Sequence, residues 1–224
     1  MLKPIAIAAV LAVSAVATSA SAATVELLTN GGFDDVGSAT PEGWGGLTYY
    51  AGGPAILPGW TVEAGSVDLT DTNSLWGPSG GGQYSLDING WSAGTIAQSF
   101  ATVLGRLYNV SFSYSRNPAN APYTATALVT AGGQSLNVTA LGDGSFGGMG
   151  SMAWQTGGFS FVGTGNTETI RLAGTIEGNA GVFFDNVSVS AGVPEPSTWA
   201  IAIMGFGLMG AVLRRRRRVA MVRA

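Results

Sequence analysis

Leu107-Tyr108-Asn109-Val110-Ser111-Phe112-Ser113-Tyr114-Ser115 alternates strictly: Tyr108, Val110, Phe112 and Tyr114 occupy one side, and Asn109, Ser111, Ser113 and Ser115 the other. A period of two fits a pleated strand, whose successive side chains point to opposite faces, and does not fit a helix. One face is packed and the other is wet. The same reading extends outward. Residues 83–89 set Tyr84, Leu86 and Ile88 against Ser85, Asp87 and Asn89, and shorter runs follow at 95–100, 124–131, 134–140, 159–162, 167–173 and 182–190. Helical periodicity is missing from Ala23 to Val193, and Gly, Ser, Thr and Asn fill the intervals. Many short strands separated by such turns define an all-β fold, a β-sandwich or jelly roll. Residues 37–58 and 142–150 read as loops. The second is glycine-dense, yet no helical pattern follows it and no Lys or Arg lies beside it, so it is no phosphate cradle.

Residue types that are missing narrow the chemistry. The 224-residue chain has no histidine and no cysteine, which removes the usual general base, the Ser-His-Asp arrangement, thiol chemistry, disulfides and the commonest zinc ligands. Its only lysine is Lys3, so a serine-lysine dyad has no base in the body. Between residues 23 and 192 twelve acidic side chains face only Arg106, Arg116 and Arg171, a net charge of about −9, which repels phosphate backbones and excludes nucleic acid as a partner. Carboxylates are what remains for catalysis, and the pairs among Asp68, Asp87 and Asp143 are the candidates for a glycoside hydrolase or lyase. No feature of the sequence fixes two of them at a working separation.

The ends of the chain address it to a membrane. Lys3, an apolar run from Ile5 to Val16 and the small-x-small triplet Ala20-Ser21-Ala22 form a secretory signal peptide over residues 1–22, cut before Ala23. At the other end stand Pro194, Glu195 and Pro196, then Trp199, Ala200 and an apolar run to Leu213, then Arg214, Arg215, Arg216, Arg217 and Arg218. Fifteen apolar residues rise about 22 Å as a helix, short of the roughly 30 Å hydrocarbon core, so spanning needs snorkelling flanks or local thinning. The arginines stop transfer and stay cytoplasmic, with the six-residue tail 219–224, leaving the body outside. The two prolines deny a regular helix or ladder at 194 and 196 and present an extended segment just outside the membrane.

The order Pro194-Glu195-Pro196-Ser197-Thr198-Trp199-Ala200, apolar helix and arginine cluster resembles the PEP-CTERM sorting signal of Gram-negative bacteria, over residues 193–218 with its motif at 194–200 and its helix at 199–213. The resemblance implies an exosortase partner, transient anchoring in the inner membrane, C-terminal cleavage, and release or transfer to the cell surface. The body, residues 23–192, carries in order Asn30-Gly31-Gly32-Phe33-Asp34, Leu57-Pro58-Gly59-Trp60, Gly65-Ser66-Val67-Asp68-Leu69, Tyr84-Ser85-Leu86-Asp87-Ile88-Asn89-Gly90, Gly94-Thr95-Ile96-Ala97-Gln98-Ser99-Phe100 and Phe184-Asp185-Asn186-Val187. In that order they resemble the choice-of-anchor C family, which is similar to plant cell-wall proteins and more distantly to carbohydrate-binding modules. A galactose-binding-like jelly roll is implied, with a role in glycan binding.

Two sets of site residues follow. Alternation in 182–190 puts Phe183, Asp185, Val187 and Val189 on one face, so Asp185 stands where an apolar residue belongs and needs a partner. The resemblance to carbohydrate-binding modules implies that Asp34 and Asp185 hold a structural Ca²⁺, although Asp34 is one methylene shorter than the glutamate usual there. The other set is aromatic, since sugar rings stack on indoles. Among Trp44, Trp60, Trp76, Trp91 and Trp154, the residues Trp60 and Trp154 adjoin strands and read as core. Trp76 and Trp91 sit in turns and are the glycan candidates. Taken together, the sequence describes an exported, non-enzymatic protein of the envelope or extracellular matrix, associated with exopolysaccharide. A lectin-like module is its sharper form and a carboxylate-dependent hydrolase or lyase its rival.

Overall fold

The computed structural model describes residues 24–38, 46–54, 56–118, 124–141, 152–192 and 204–207. The body, Thr24–Gly192, is one compact unit. Its elements in chain order are β1 (Thr24–Glu26), β2 (Gly46–Tyr50), β3 (Thr61–Ala64), β4 (Ser66–Asp71), the single-turn α1 (Thr72–Leu75), β5 (Tyr84–Asp87), β6 (Thr95–Ala101), β7 (Leu107–Arg116), β8 (Thr124–Ala131), β9 (Gln134–Leu141), β10 (Gln155–Val162), β11 (Thr167–Gly174) and β12 (Val182–Gly192). Two antiparallel sheets face each other. One runs β10-β7-β12-β5-β4-β2 with β1 added on β12, and the other runs β3-β6-β11-β8-β9. The all-β sandwich expected from the alternation is what forms.

The core lies between the sheets and is built from the inward faces: Tyr108, Val110 and Phe112 from β7, Ile96 and Phe100 from β6, Ile170 and Leu172 from β11, Leu69 and Leu86 from β4 and β5, and Val189 from β12. Rings pack within it, Phe112 edge-on to Phe184 at 5.6 Å and Tyr108 stacked on Phe161 at 5.3 Å. Such pairs add about 0.5–1.5 kcal/mol beyond burial.

Three expectations need correction. Residues 37–58 are not loop throughout, because β2 lies there and pairs in register with β4, Leu47 opposite Leu69. In β5 the expected wet face is covered: Ser85, Asp87 and Asn89 are as buried as Leu86 and Ile88. An interior strand has both faces shielded from solvent when a loop covers the one that does not pack on the core, and here Asn89 Nδ2 donates to the carbonyls of Ile176 and Gly178 at 2.8 and 3.0 Å. The alternation in β12 also fails. Its ladder with β7 slips between Asp185 and Ser188, with Asn186 at φ 48°, so the core face passes from Val182 and Phe184 to Val187 and Val189, while Phe183 and Asp185 are buried on the other face. A bulge inserts one extra residue and shifts the phase of everything beyond it.

Residues 1–23 and most of the C-terminal segment, including the signal peptide, the motif at 194–200 and the arginine cluster, lie outside the described residues. Within the expected span at 199–213, residues 204–207 are helical and exposed. Among the described residues no helix is long and apolar enough to cross a membrane.

Candidate functional site

Asp34 and Asp185 meet at one loop. The segment Ser79-Gly80-Gly81-Gly82-Gln83 leads into β5, and both carboxylates clasp its backbone: Asp34 Oδ1 accepts from the N–H of Gln83 and Tyr84 at 2.7 and 3.1 Å, and Asp185 Oδ2 accepts from Gly81 N–H at 2.8 Å. Asp185 also accepts from Asn186 N–H at 2.6 Å and from the Ser85 hydroxyl at 3.3 Å. Glycine is dictated at 82 because its φ is 69° and a Cβ there would overlap the Asp34 carboxylate. Burial pushes the Asp185 carboxyl up to about 7, with the nearby Asp34 charge adding to the rise and the N–H and O–H donors opposing it.

This donor set does not fit Ca²⁺, which takes six to eight oxygens. Both Asp185 oxygens rest on hydrogen-bond donors, and the loop carbonyls are engaged as well, Gly80 O by Asn186 Nδ2 and those of Gly81 and Gly82 by the Ser79 hydroxyl. No group of three or more acidic side chains able to hold a metal occurs among the described residues. The clasp is complete as a hydrogen-bonded lock between the N-terminal segment, the loop and the β12 bulge.

The catalytic candidates are dispersed or closed. Asp68 and Asp87 are cross-strand partners of β4 and β5. Asp87 is 1 % exposed, and its oxygens accept from Asn117 Nδ2 at 2.5 Å, Asn89 N–H at 2.9 Å and Gly181 N–H at 3.1 Å. Burial drives its carboxyl up to about 8 against those bonds. Asp68 Oδ1 accepts from the Thr48 hydroxyl at 2.7 Å. Asp143 lies outside the described residues. No substrate reaches the pair through Asp87.

The indoles do not form one platform. Trp76 is half-buried just after α1, before β5 begins, whereas Trp91 is 65 % exposed in the turn after β5, its backbone N–H donating to the Ser66 hydroxyl at 2.8 Å. They lie at opposite ends of the β4–β5 pair, whose six-residue strand β4 is about 17 Å long. Trp60 is core, its ring tilted against that of Phe33 at 5.6 Å with its indole N–H on Asn30 O. Trp154 is half-buried rather than core, its N–H on Pro78 O at 2.8 Å, and Trp44 lies outside the described residues.

Sequence reading missed a polar cleft of about 400 Å³ against the second sheet, lined by Thr29, Thr61, Glu63, Ala97, Gln98, Ser99, Thr169 and Arg171. Register explains it: Arg171 and Thr61 both sit opposite Ala97, whose methyl leaves a trough between them. Glu63 and Arg171 form a bidentate pair at 2.8 and 3.1 Å, the Ser99 and Thr169 hydroxyls bond at 2.9 Å, and the Gln98 amide is fixed on both backbone groups of Thr29. Alternating Thr and Ser opposite core residues in β6 and β11 was its only signal in the sequence.

A two-sheet antiparallel sandwich with a sorting tail is the class these observations define. The chain belongs to the family described as "Protein of unknown function (DUF642)", whose model matches residues 26–189, and residues 192–218 match the PEP-CTERM protein-sorting motif. These cover the stretches in which the ordered motifs were read. No curated protein matches the chain. Solved structures similar to it include TmCBM61 in complex with β-1,4-galactotriose, at 12 % identity over 74 % of this chain and 97 % of that one with a TM-score of 0.43. A family 35 carbohydrate-binding module from Clostridium thermocellum matches at 13 % identity over 76 % and 98 % of the two chains, TM-score 0.40.

Proposed function

We propose that this is an exported, non-enzymatic protein of the envelope or extracellular matrix, delivered by exosortase processing of its tail and associated with exopolysaccharide. The observation that carries the reading is the PEP-CTERM match at 192–218, in which a proline-flanked glutamate, an apolar run and an arginine block stand in order. The signal at 1–22 starts export, the helix at 199–213 holds the precursor in the inner membrane, and cleavage near Pro194–Pro196 frees the body at the surface. Absence of histidine and thiol from the sequence and closure of Asp87 support the non-enzymatic side.

Contact with polysaccharide falls to the polar cleft, whose fixed hydroxyls, amide and guanidinium suit sugar hydroxyl groups, and to the exposed Trp91 in the turn that leads into β6. Expression with and without residues 194–196 in a host carrying exosortase tests the sorting. The tail is lost only from the intact chain if the reading holds; equal retention in both sinks it. Affinity electrophoresis through a panel of neutral and acidic polysaccharides tests the binding, with retardation lost in Arg171→Ala or Trp91→Ala as the expected result and unretarded wild type across the panel as the refuting one.

A further inference from the structure

Four large apolar side chains gather on one tip of the sandwich. Leu107 and Val162 are ladder partners at the ends of β7 and β10, on the solvent side, and are 56 % and 58 % exposed. Val103 and Leu104, in the turn before β7, are 57 % and 77 % exposed. The tip is rigid rather than frayed. Gly105 N–H donates to Gly163 O at 2.9 Å, Gly163 N–H to Arg106 O at 2.8 Å, and Thr102 N–H to Asn166 O at 3.0 Å, so the two turns are stitched together. Val103 N–H is held by the Tyr108 hydroxyl at 2.8 Å. Packing inside the body does not explain these side chains, since Tyr108 and Phe161 beside them already supply the core contacts. A fixed cluster of exposed apolar groups marks a contact surface.

The chain leaves the body at this same tip. Ala191 is the ladder partner of Tyr108, so Gly192, the last residue of β12, comes level with Leu107. With strands about 4.8 Å apart, Gly192 stands about 5 Å from Leu107 and about 10 Å from Val162. Six residues, 193–198, separate it from the apolar run that starts at Trp199, and fully extended they reach at most about 21 Å. Trp91, by contrast, is at the far end, where β12 begins beside Asp87. We infer that the tip formed by Val103, Leu104, Leu107 and Val162 docks on the outer surface of the lipid bilayer while the tail anchors the precursor. This rests on the anchoring role proposed for 199–213 and adds that the body lies against the membrane. Cleavage removes the tether, and a small apolar tip alone binds lipid only weakly, so the body departs.

The test uses the natural absence of cysteine. Leu104→Cys and, at the far end, Ser92→Cys are made in the full chain, labelled with an environment-sensitive dye, and reconstituted into vesicles of phosphatidylethanolamine and phosphatidylglycerol at 3:1. The expected result is a blue-shifted emission at 104, quenched several-fold more by nitroxide lipid than at 92, and lost on adding Leu107→Asp and Val162→Asp to the 104 variant, with circular dichroism unchanged. Equal emission and quenching at the two sites overturns docking while leaving anchoring intact. Chains that fail to float with vesicles overturn both. A shift at 104 that grows with protein concentration and is not quenched by lipid assigns the tip to a second copy, and one that needs co-reconstituted exosortase assigns it to the protease; either result overturns the bilayer as occupant.

Discussion

Acid should stabilise this protein, because the buried carboxyl of Asp87 is held neutral. Asp87 has its folded pKa raised to about 8 by burial, against roughly 3.9 in the unfolded chain. Between those values the folded state binds a proton that the unfolded state has released. The stabilising contribution is therefore complete below about pH 4 and is lost progressively as pH rises towards 8. Each pH unit crossed between the two pKa values removes up to the free energy of one proton's linkage, so the step from pH 5 to pH 7 costs up to about 3 kcal/mol, or roughly 5–10 °C in Tm for a domain of this size. Asp185, raised to about 7 by burial, adds to the same trend over the lower part of the window. Thermal unfolding of wild type and Asp87→Asn across pH 4.5–8.5 measures it. The amide keeps the shape and cannot ionise, so the variant should lose about one proton's worth of slope, whatever it loses in absolute stability by setting its NH2 against the N–H donors of Asn117, Asn89 or Gly181. Parallel pH profiles for the two proteins would refute the assignment of Asp87 as the neutral acid.

Gly82→Ala should destabilise the body by about 2 kcal/mol or more, since the backbone there has φ 69° and the methyl would enter the Asp34 carboxylate; urea unfolding measures it, and a neutral effect would contradict the clasp. Millimolar Ca²⁺ should move Tm by less than about 1 °C, because the Asp185 oxygens face hydrogen-bond donors. A rise of several degrees, reversed by chelator and absent in Asp185→Ala, would restore the calcium reading. Leu172→Ala, in the fully buried centre of β11, should cost about 2–5 kcal/mol. Glu63→Gln should cost under about 1 kcal/mol, as exposed ion pairs do, while changing retardation by polysaccharide.

The fold was legible wherever one face is packed and the other is wet. In β7 the alternation of Tyr108, Val110 and Phe112 with Asn109 and Ser111 maps directly onto burial. It was not legible where both faces are covered or the phase breaks. Ser85, Asp87 and Asn89 look like solvent residues because their partners, Asp185, Asn117, Gly181 and the carbonyls of 176 and 178, come from far along the chain. The β12 bulge likewise depends on Asn186 adopting φ 48°, which the alternation around it hides. Strands β1, β2, β3 and β4 were missed because runs of three to six residues carry too few alternations to count. Of the site residues, Asp34 and Asp185 both reach the Ser79–Gln83 loop and accept from its backbone N–H groups. The tip at Leu104 and Leu107 could not be read from sequence, since an apolar residue ending a strand looks the same whether it faces core or solvent.

Intact mass of the protein recovered from an exosortase-bearing culture tests the central claim most directly. The account gives a mature chain beginning at Ala23 and ending near Pro194–Pro196, with residues 199–224 absent. A mass that retains the apolar run and the five arginines would contradict it.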